Sequence, residues 1–382
     1  MAERKHLTCK NTALAIAVFL PLAWLLHTQT GFTGLPERSA LVDAVSVSIA
    51  PDVRQQQEIK PSRTDISRQQ TNISWHRQEL EPGITWKYTS DSLFGAPQYL
   101  NVLVMDADTA AVRFRLEAAD RVDKPHPPEE PVRHLTASEF ARIFDPLAVI
   151  NAGFFSDHPE YVSSGIFKVE GEVYPFMKEE PEELRFVGSS AIGIDRQGNW
   201  LFFNRVDAAW PSDWPEAHTA VAGAHRLLEG GIIPEPVVSE SYVSMREQRH
   251  AGLRHPRTAI CLTDGADGHS GSRASGLQQP GTSSSGWQAH DEPTAEADSA
   301  VSSRPEILIL VADGRHDEAV GLTLRELAMV MLDLGCMDAV NLDGGGSSTM
   351  YIRDRGVVNH PSGNGVFDHE GERAVRTVIM IE

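Results

Sequence analysis

Short apolar runs separated by turn residues recur along the chain from about residue 75 onward and predict antiparallel hairpins. The runs are joined by segments rich in Gly, Asp and Asn, the residue types that suit hairpin turns. The paired runs are residues 99–105 with 111–116, 166–169 with 173–174, 191–194 with 200–203, and 351–352 with 357–358. Antiparallel sheet is therefore the main predicted element.

Two helices are predicted from their N-terminal capping signals. Thr136 and Thr323 are each followed three residues later by a Glu, which is the capping-box pattern. Pro146 marks the end of the first helix, and Gly335 is placed to cap the second. The second helix carries one apolar stripe, made of Leu324, Leu327, Ala328, Met331 and Leu332. Together these elements predict an α+β fold, with antiparallel hairpins around a mixed β-sheet and a few helices packed on its surface.

A similar stretch follows each of the two helices. Residues 148–155 and residues 339–346 both run from a short apolar strand into an Asn and then a Gly. Two unrelated strand ends would give the same pattern, so coincidence and a weak internal repeat are equal alternatives. If the repeat is real, Asn151 and Asn341 face one cleft.

The N-terminal segment predicts a targeting signal. Three Lys or Arg side chains within the first ten residues precede an apolar run over residues 13–26, which is the arrangement of a secretory signal. No small-residue cleavage site follows directly, and this favours an uncleaved signal anchor over a cleaved peptide. We expect a membrane-anchored or secreted protein of the cell envelope, divided into a signal segment (1–35), a polar linker (36–74) and a folded extracytoplasmic domain (75–382).

One long segment interrupts a predicted hairpin. Residues 264–304 are rich in Ser, Gly, Ala, Asp and Gln and carry almost no large apolar side chains, a composition typical of disorder. They separate the apolar runs 257–262 and 307–311, which we interpret as strand partners. Because loop-closure entropy grows only logarithmically with loop length, such an insertion is compatible with their pairing.

Composition and charge limit the classes of partner. The chain has 41% hydrophobic and 23% charged residues, as is usual for a soluble globular protein. Its formal net charge of -19 argues against a nucleic-acid partner, since such proteins present a basic surface to the phosphate backbone. Cys261 and Cys336 lie in apolar surroundings, where a disulfide would fit an oxidising compartment. The sequence alone leaves that pairing open.

The clearest chemical signal is the segment Asp-Gly-Gly-Gly-Ser-Ser-Thr at residues 343–349. Consecutive glycines permit positive φ angles and a close approach of a ligand to the backbone. Their N–H groups can form a concave nest for an anion such as phosphate, and Asp343 adds a carboxylate at its entrance. A tight turn capped by Asp is the alternative. The candidate substrate-binding residues in this stretch are Asn341, Gly344, Gly345, Gly346, Ser347 and Ser348.

Six further polar residues are candidates on other segments: Asn151, Glu229, His255, Arg257, Asp313 and Arg315. Asn151 and Arg257 are candidate substrate contacts, and an Arg can grip a phosphate through two parallel hydrogen bonds. Glu229 and Asp313 are candidate catalytic carboxylates beside Asp343. Asp313 follows an apolar strand, a position where sites often form. Each of these residues taken alone is better explained by an ordinary surface or loop position, and for the segment at residues 313–315 an ordinary turn is an equal alternative.

Several of these segments resemble the phosphodiester glycosidase family. The resemblance covers the chain from about residue 102 and rests on the motifs at residues 151–155, 222–230, 255–260, 311–315, 321–324 and 339–350. It implies hydrolysis of a sugar-1-phosphodiester between the anomeric carbon and the phosphate oxygen, giving a free sugar and a phosphomonoester, in envelope or exopolysaccharide metabolism. It further implies that Asp343 takes part in the chemistry, with Glu229 or Asp313 as the second carboxylate.

Two other functions remain open at this stage. The first is a non-catalytic envelope module that binds phosphorylated or acidic glycans with the same glycine segment. The second is a metal-dependent hydrolase in which Asp343, Asn341 and Asp313 supply oxygen ligands to Ca²⁺ or Mg²⁺. For the glycosidase we expect no cofactor and no nucleic acid. Its partners would be a glycan or small molecule with a sugar-1-phosphate linkage, and the membrane through the N-terminal segment.

Overall fold

A computed structural model of the chain describes residues 73–122, 132–177, 184–204, 213–265 and 304–382. The predicted signal segment, the predicted linker up to residue 72 and residues 266–303 of the predicted insertion lie outside the described residues. Within the described ranges, no helix has both the length and the apolar character needed to cross a membrane.

The strands, numbered in chain order, form three main sheets and one small hairpin. They are β1 (His76–Glu81), β2 (Ile84–Thr89), β3 (Ser92–Leu93), β4 (Ala96–Pro97), β5 (Leu100–Asp106), β6 (Phe114–Ala118), β7 (Ala148–Asn151), β8 (Phe167–Val169), β9 (Glu172–Val173), β10 (Val187–Ile194), β11 (Trp200–Asn204), β12 (Thr219–Ala224), β13 (Arg226–Leu228), β14 (Arg257–Thr263), β15 (Glu306–Ala312), β16 (Cys336–Asn341), β17 (Met350–Ile352), β18 (Gly356–Val357) and β19 (Thr377–Ile381).

Sheet I has the order β1-β2-β5-β15-β14-β16-β13, sheet II β11-β10-β12-β8-β9, and sheet III β18-β17-β7-β19-β6, while β3 pairs with β4. The predicted α+β class is confirmed. The strand pairs in these sheets are antiparallel, whereas a mixed sheet was expected. For consecutive strands such as β1 and β2, a short loop returns the chain beside the strand it has just left, which produces antiparallel neighbours.

The helices are α1 (Ala107–Arg113), α2 (Ala137–Phe144), α3 (Glu235–Val238), α4 (Met245–Gly252) and α5 (Leu324–Asp333), with 3₁₀ turns at Ala119–Arg121 and Gly345–Ser347. The two predicted capping boxes, at Thr136 and Thr323, are both present. Helix α5 packs its apolar stripe on one face of sheet I, and α2 packs on sheet III. The opposite face of sheet I forms a second core with sheets II and III.

One predicted hairpin is wrong. Residues 99–105 lie largely in β5 of sheet I, but residues 107–113 form α1, and β6 then pairs with β19 in sheet III. The cause is local, because the Asp106 side chain accepts hydrogen bonds from the N–H groups of Asp108 and Thr109. This N-cap starts a helix where a turn was expected. The other hairpins, including β14 with β15, are confirmed.

A disulfide links Cys261 of β14 to Cys336 of β16, with 5.8 Å between their Cα atoms. Both side chains are buried on the face of sheet I that α5 covers. The bridge closes a loop of 75 residues, which in the chain-entropy account corresponds to about 4 kcal/mol of stabilisation. It fastens together the two strands that lead into the predicted site.

The two Asn-containing strand ends meet, as the similarity between residues 148–155 and 339–346 predicted. Asn151 ends β7 in sheet III and Asn341 ends β16 in sheet I. Just beyond these ends, the Asn151 side-chain amide donates to the carbonyl of Asp343 at 2.5 Å, and the N–H of Asp343 donates to Ala152 at 3.1 Å. The two sheets are therefore joined at the glycine segment.

Candidate active site

The glycine segment forms a tight loop that backbone contacts hold against sheet I. After β16, Leu342 donates its N–H to Thr258 at 2.8 Å and Gly345 donates to Pro256 at 2.8 Å. A Cβ on Gly344 would lie 2.8 Å from the same Pro256 carbonyl oxygen, closer than a side chain tolerates. Gly345 has a φ of +63°, a conformation that glycine adopts without strain. The loop shape thus needs glycine at two successive positions.

Asn151 is the anchor beneath this loop. It is 1% exposed, and its side-chain oxygen accepts hydrogen bonds from the Thr258 hydroxyl at 2.8 Å and the Thr349 N–H at 3.1 Å. With the bond to Asp343, these contacts occupy the amide on both sides. The Ser348 hydroxyl is also buried and lies 3.4 Å from that of Thr258. In this structure Asn151 and Ser348 support the loop from inside.

Asp343 is the half-buried carboxylate at the start of the loop. Desolvation by its surroundings raises its pKa to about 6. Four neighbours oppose that rise: the Ser347 side chain, the Gly344 N–H and the charges of Arg373 and Arg315. The Ser347 hydroxyl is close enough to lower this pKa, although its geometry falls short of a regular hydrogen bond. A carboxylate poised near neutral pH is typical of catalytic positions.

Two exposed guanidinium groups flank Asp343. A Cβ on Gly345 would lie 2.9 Å from a terminal nitrogen of Arg315, and a Cβ on Gly346 would lie 2.9 Å from the Arg373 guanidinium. Because these two glycines carry no side chain, the guanidinium groups of Arg315 and Arg373 can lie directly above the loop. Neither guanidinium forms an ion pair with a carboxylate in the described part of the chain. Two guanidinium groups without an ion-pair partner suit the binding of an anionic ligand.

We expect Gly346→Ala to raise KM about tenfold with little change in kcat, because a displaced Arg373 loses about one charged hydrogen bond to substrate. Gly346 does not have a positive φ, so the added methyl group meets only the guanidinium. Steady-state kinetics on the substrate identified by the assay below measures the change. Gly252→Ala is the matched control, since its Cβ would meet nothing within 4 Å. An unchanged KM in Gly346→Ala would show that the close approach has no role in binding.

Asp313 is buried at the end of β15, and three N–H groups surround it. Its oxygens accept from the Asn359 amide at 2.8 Å, the His360 backbone N–H at 2.9 Å and His360 Nδ1 at 2.8 Å. Three donors occupy most of the accepting positions of this carboxylate, and its side chain is 0% exposed, so it has little access to substrate or to a metal ion. The predicted role of Asp313 as a second reacting carboxylate is therefore not supported by its surroundings.

Arg257 and Glu229 do not join this cluster. Arg257 is 1% exposed and donates to the carbonyls of Leu322, His250 and Leu253, and burial lowers its pKa to about 9. Glu229 lies on an exposed turn after β13, next to the part of β16 that precedes Val340. This turn contacts Asp338, five residues before Asp343 along the chain. Neither Arg257 nor Glu229 lies where its predicted role requires.

Asn341 is completely buried, and its side-chain oxygen and nitrogen have no hydrogen-bond partner among the described residues. Its backbone N–H donates to His225 at 3.2 Å. A Cβ on Gly223 would lie 2.2 Å from the Asn341 carbonyl oxygen, so this glycine lets β12 of sheet II reach β16. A buried amide with both ends unpaired ordinarily accompanies a bound polar group or water. With 0% exposure, the Asn341 amide lies beneath the surface that a substrate would meet.

A cluster of aromatic side chains lies next to Asn341. The His250 ring lies 5.7 Å from Phe154, 5.0 Å from Phe186 and 5.8 Å from His225, measured between centroids. Burial, reinforced by the charge of Arg257, holds the pKa of His250 well below its usual range. The imidazole is therefore uncharged at neutral pH. Phe154 belongs to the 151–155 segment, whose Asn151 contacts the loop that carries Asp343. The aromatic cluster is therefore close in sequence to that loop's anchor.

The surroundings of the predicted metal ligands fit an anion better than a cation. The described residues contain no group of three or more His, Cys, Asp or Glu side chains that could hold a metal ion. Asp313 is occupied by N–H donors, and two guanidinium groups raise the electrostatic potential at Asp343. A divalent cation would be repelled by the same two charges that attract a phosphate.

The sequence did not single out Arg373, Asn359 or His360. They follow β17 in a stretch without a motif, and only the folded chain brings them to the glycine loop. Arg315 was among the polar positions in a recognised motif, although its role was not apparent. The signal that could have indicated Arg373 is the glycine run itself, because three glycines leave room for bulky neighbours as well as for a ligand.

Comparisons with known proteins agree with this arrangement. A phosphodiester glycosidase family model matches residues 283–382, and a comparison with curated proteins found no match. The fold is similar to the zebrafish N-acetylglucosamine-1-phosphodiester alpha-N-acetylglucosaminidase catalytic domain, auto-inhibited by its pro-peptide, with TM-score 0.52, 17% identity, and coverage of 81% of this chain and 88% of that chain. It is also similar to a hypothetical protein from Synechocystis, with TM-score 0.51, 14% identity, and coverage of 81% and 63%.

At these sequence identities, the similarity to the two solved structures supports the fold only. The family model covers the segment that holds β15, α5, the glycine loop and β19. Every residue of the Asp343, Arg315 and Arg373 cluster falls inside it. The chain is thus similar to the phosphodiester glycosidases, as its motifs predicted, through the family model over residues 283–382 and through the fold of most of its length.

Proposed function

We propose that this protein is a hydrolase that cleaves a sugar-1-phosphodiester at the bond between the anomeric carbon and the phosphate oxygen. The products are a free sugar and a phosphomonoester. The observation that carries the proposal is the placement of Asp343, a carboxylate with a raised pKa, between the exposed guanidinium groups of Arg315 and Arg373. The family resemblance of this segment supports the same reaction.

In this proposal Arg315 and Arg373 hold the phosphate, in place of the buried Arg257. Both are exposed and lie over the glycine loop, so a phosphodiester can reach both at once. A planar guanidinium binds two phosphate oxygens in parallel, which fixes the orientation of the group as well as attracting it. The anomeric carbon, one bond from the phosphate oxygen, is thereby brought to Asp343.

Asp343 acts in its ionised form as the general base that takes a proton from the attacking water. A departing phosphomonoester has a second pKa of about 6, so it leaves far more readily than an alcohol does. The heavier demand is therefore on water activation and on stabilising the oxocarbenium-like transition state, which a nearby carboxylate serves.

The disulfide supports an extracytoplasmic location for this activity. Cys261 and Cys336 are bridged inside the core, and disulfides of this kind persist in oxidising compartments. We propose that the N-terminal segment carries the domain out of the cytoplasm and holds it at the membrane, where glycans of the cell envelope are its substrates.

The test is an assay of the purified chain on a panel of sugar-1-phosphodiesters between pH 4.5 and 8, with and without EDTA. We expect sugar release that EDTA does not affect and a kcat/KM that rises with pH through about 6, because Asp343 must lose its proton to act as a base. No release from any substrate would favour a glycan-binding module. Loss of release in EDTA would favour the metal-dependent hydrolase, and a kcat/KM that falls through the same pH range would make Asp343 an acid.

A further inference from the structure

His360 forms a close pair with the buried Asp313. Its Nδ1 lies 2.8 Å from one Asp313 oxygen, and its backbone N–H donates to the same oxygen at 2.9 Å. The Asp313 side chain is 0% exposed and that of His360 is 11% exposed. Because a carboxylate can only accept at Nδ1, this contact fixes the proton on that nitrogen. Nε2 is then the ring atom left to exchange a proton with a ligand.

The imidazole is held by aromatic neighbours on several sides. Its centroid lies 3.8 Å from that of Phe367 in a stacked arrangement, 4.5 Å from His369, and 4.6 Å from Tyr99 edge-on. His369 is itself fixed by a 2.7 Å hydrogen bond between its Nδ1 and the Asn359 carbonyl. Nε2 of His360 has no hydrogen-bond partner among the described residues, and it is not one of their buried unpaired atoms. The ring is oriented and one nitrogen is open.

The pair is built into the framework of the glycine loop. The Asn359 amide donates to Asp313 at 2.8 Å and to the Ser348 carbonyl at 3.0 Å, and its oxygen accepts from the Met350 N–H at 2.8 Å. Asp313 is two residues from Arg315. On the other side, Gly363 donates to Gly371 at 3.0 Å. This bond closes the loop that starts at His360 and brings the chain back towards Arg373. Short segments of chain therefore connect the pair to both arginines of the proposed phosphate site.

We propose that His360, positioned by Asp313, is the proton donor to the leaving phosphate oxygen. This inference rests on the proposed function. As the bond between the anomeric carbon and the oxygen breaks, its electron pair stays on the phosphate oxygen, and that oxygen takes the proton from Nε2. The phosphomonoester leaves as a monoanion and His360 is left neutral. Water adds to the anomeric carbon while Asp343 takes its proton, and solvent restores both groups.

An imidazole suits this task better than a second carboxylate. Imidazole changes charge near neutral pH, and a phosphomonoester takes up its second proton at a pH of about 6. Efficient proton transfer needs donor and acceptor of comparable acidity. The titratable groups that face the ring are Asp313, His369 and Tyr99, while the exposed Asp368 acts on it from farther away. Asp313 is the carboxylate in direct contact with the ring, at 2.8 Å from Nδ1.

The test compares two substrates of the same sugar in the full chain and in His360→Asn. Departing fluoride needs less protonation than a phosphate oxygen, so a sugar-1-fluoride reports on a site that lacks only its acid. We expect His360→Asn to lower kcat on the phosphodiester about 100-fold, the lower end for a positioned acid, and to change hydrolysis of the fluoride far less. His76→Ala, on the exposed edge strand β1, is the matched control. Equal losses on both substrates, or no loss, would overturn the proposal.

A second measurement needs no variant and no turnover. Inorganic phosphate is titrated into the full chain, and the imidazole nitrogens are followed by NMR. Phosphate should move the Nε2 resonance of His360, while that of His76 should stay in place. If phosphate binds without moving the His360 signal, or does not bind, the assignment of His360 is overturned whatever the activity. If phosphate moves the signal but no panel substrate is hydrolysed, only the proposed function fails.

Discussion

Asp343→Asn is expected to lower the rate of sugar release about 10⁴-fold, the upper end for the loss of a positioned base, while the fold remains intact. The amide keeps the shape of the carboxyl group but cannot take a proton from water. Single-turnover assays at pH 7.5 measure the loss. Asp333→Asn, an exposed position at the end of α5, is the matched control. An active Asp343→Asn variant would remove this residue from the mechanism.

The same substitution should make the protein more stable at pH 7.5. Asp343 has a folded-state pKa of about 6 against an ordinary value of 3.8, so the folded state binds its proton more tightly than the unfolded state does. The ionised carboxylate therefore destabilises the fold above about pH 6, by about 1 to 3 kcal/mol after allowance for partial solvent access. Asn does not carry that charge. Urea unfolding should show a more stable variant at pH 7.5 and no difference below about pH 4.

The double variant Arg315→Ala with Arg373→Ala should raise KM about 10³-fold, since each guanidinium contributes a charged hydrogen bond of about 1.5 to 3 kcal/mol to the phosphate. The rising limb of the pH profile should also move above about pH 6, because both charges now lower the Asp343 pKa. Increasing salt should weaken binding in the wild type more than in the double variant, since salt screens these charges.

Arg77→Ala, on the exposed edge strand β1, is the control for a general loss of positive charge. Lysine at both positions should recover part of the affinity but not all of it, because an ammonium group cannot make the paired contacts of a guanidinium. If the double variant kept its KM while the pH limb moved, the arginines would tune Asp343 without holding substrate.

Local signals in the sequence predicted the parts of the site that depend on neighbouring residues. Both capping boxes followed from short patterns and are present in the structure. The strand ends that carry Asn151 and Asn341 lie near each other, since Asn151 donates to Asp343 just beyond Asn341. The chemical role of the glycine segment stays a prediction. The same kind of pattern failed at residues 107–113, where the Asp106 cap starts α1. A turn and a first helical turn share the same polar residues there, and only tertiary packing decides between them.

The parts that failed depend on register and burial across the fold. Glu229 was predicted to be a site residue because of its motif. The pairing of β13 with β16 instead places it beside the part of β16 that precedes Val340, away from Asp343. Arg257 looked like a phosphate ligand, but it faces the helices on sheet I and binds their loop carbonyls. Arg373 and His360 reach the site through a long return loop. No single-sequence pattern reports contacts of that kind.

The position of β19 has a consequence for how activity arises during synthesis. This strand lies between β6 and β7 in sheet III, and Val378 is the register partner of Asn151. The anchor of the glycine loop therefore has no finished sheet around it until residues far downstream have been made. Pairings between such distant segments form slowly, so the site can be assembled only after the nascent chain has passed that strand. In a domain ordered in this way, the site is completed at a late step of folding.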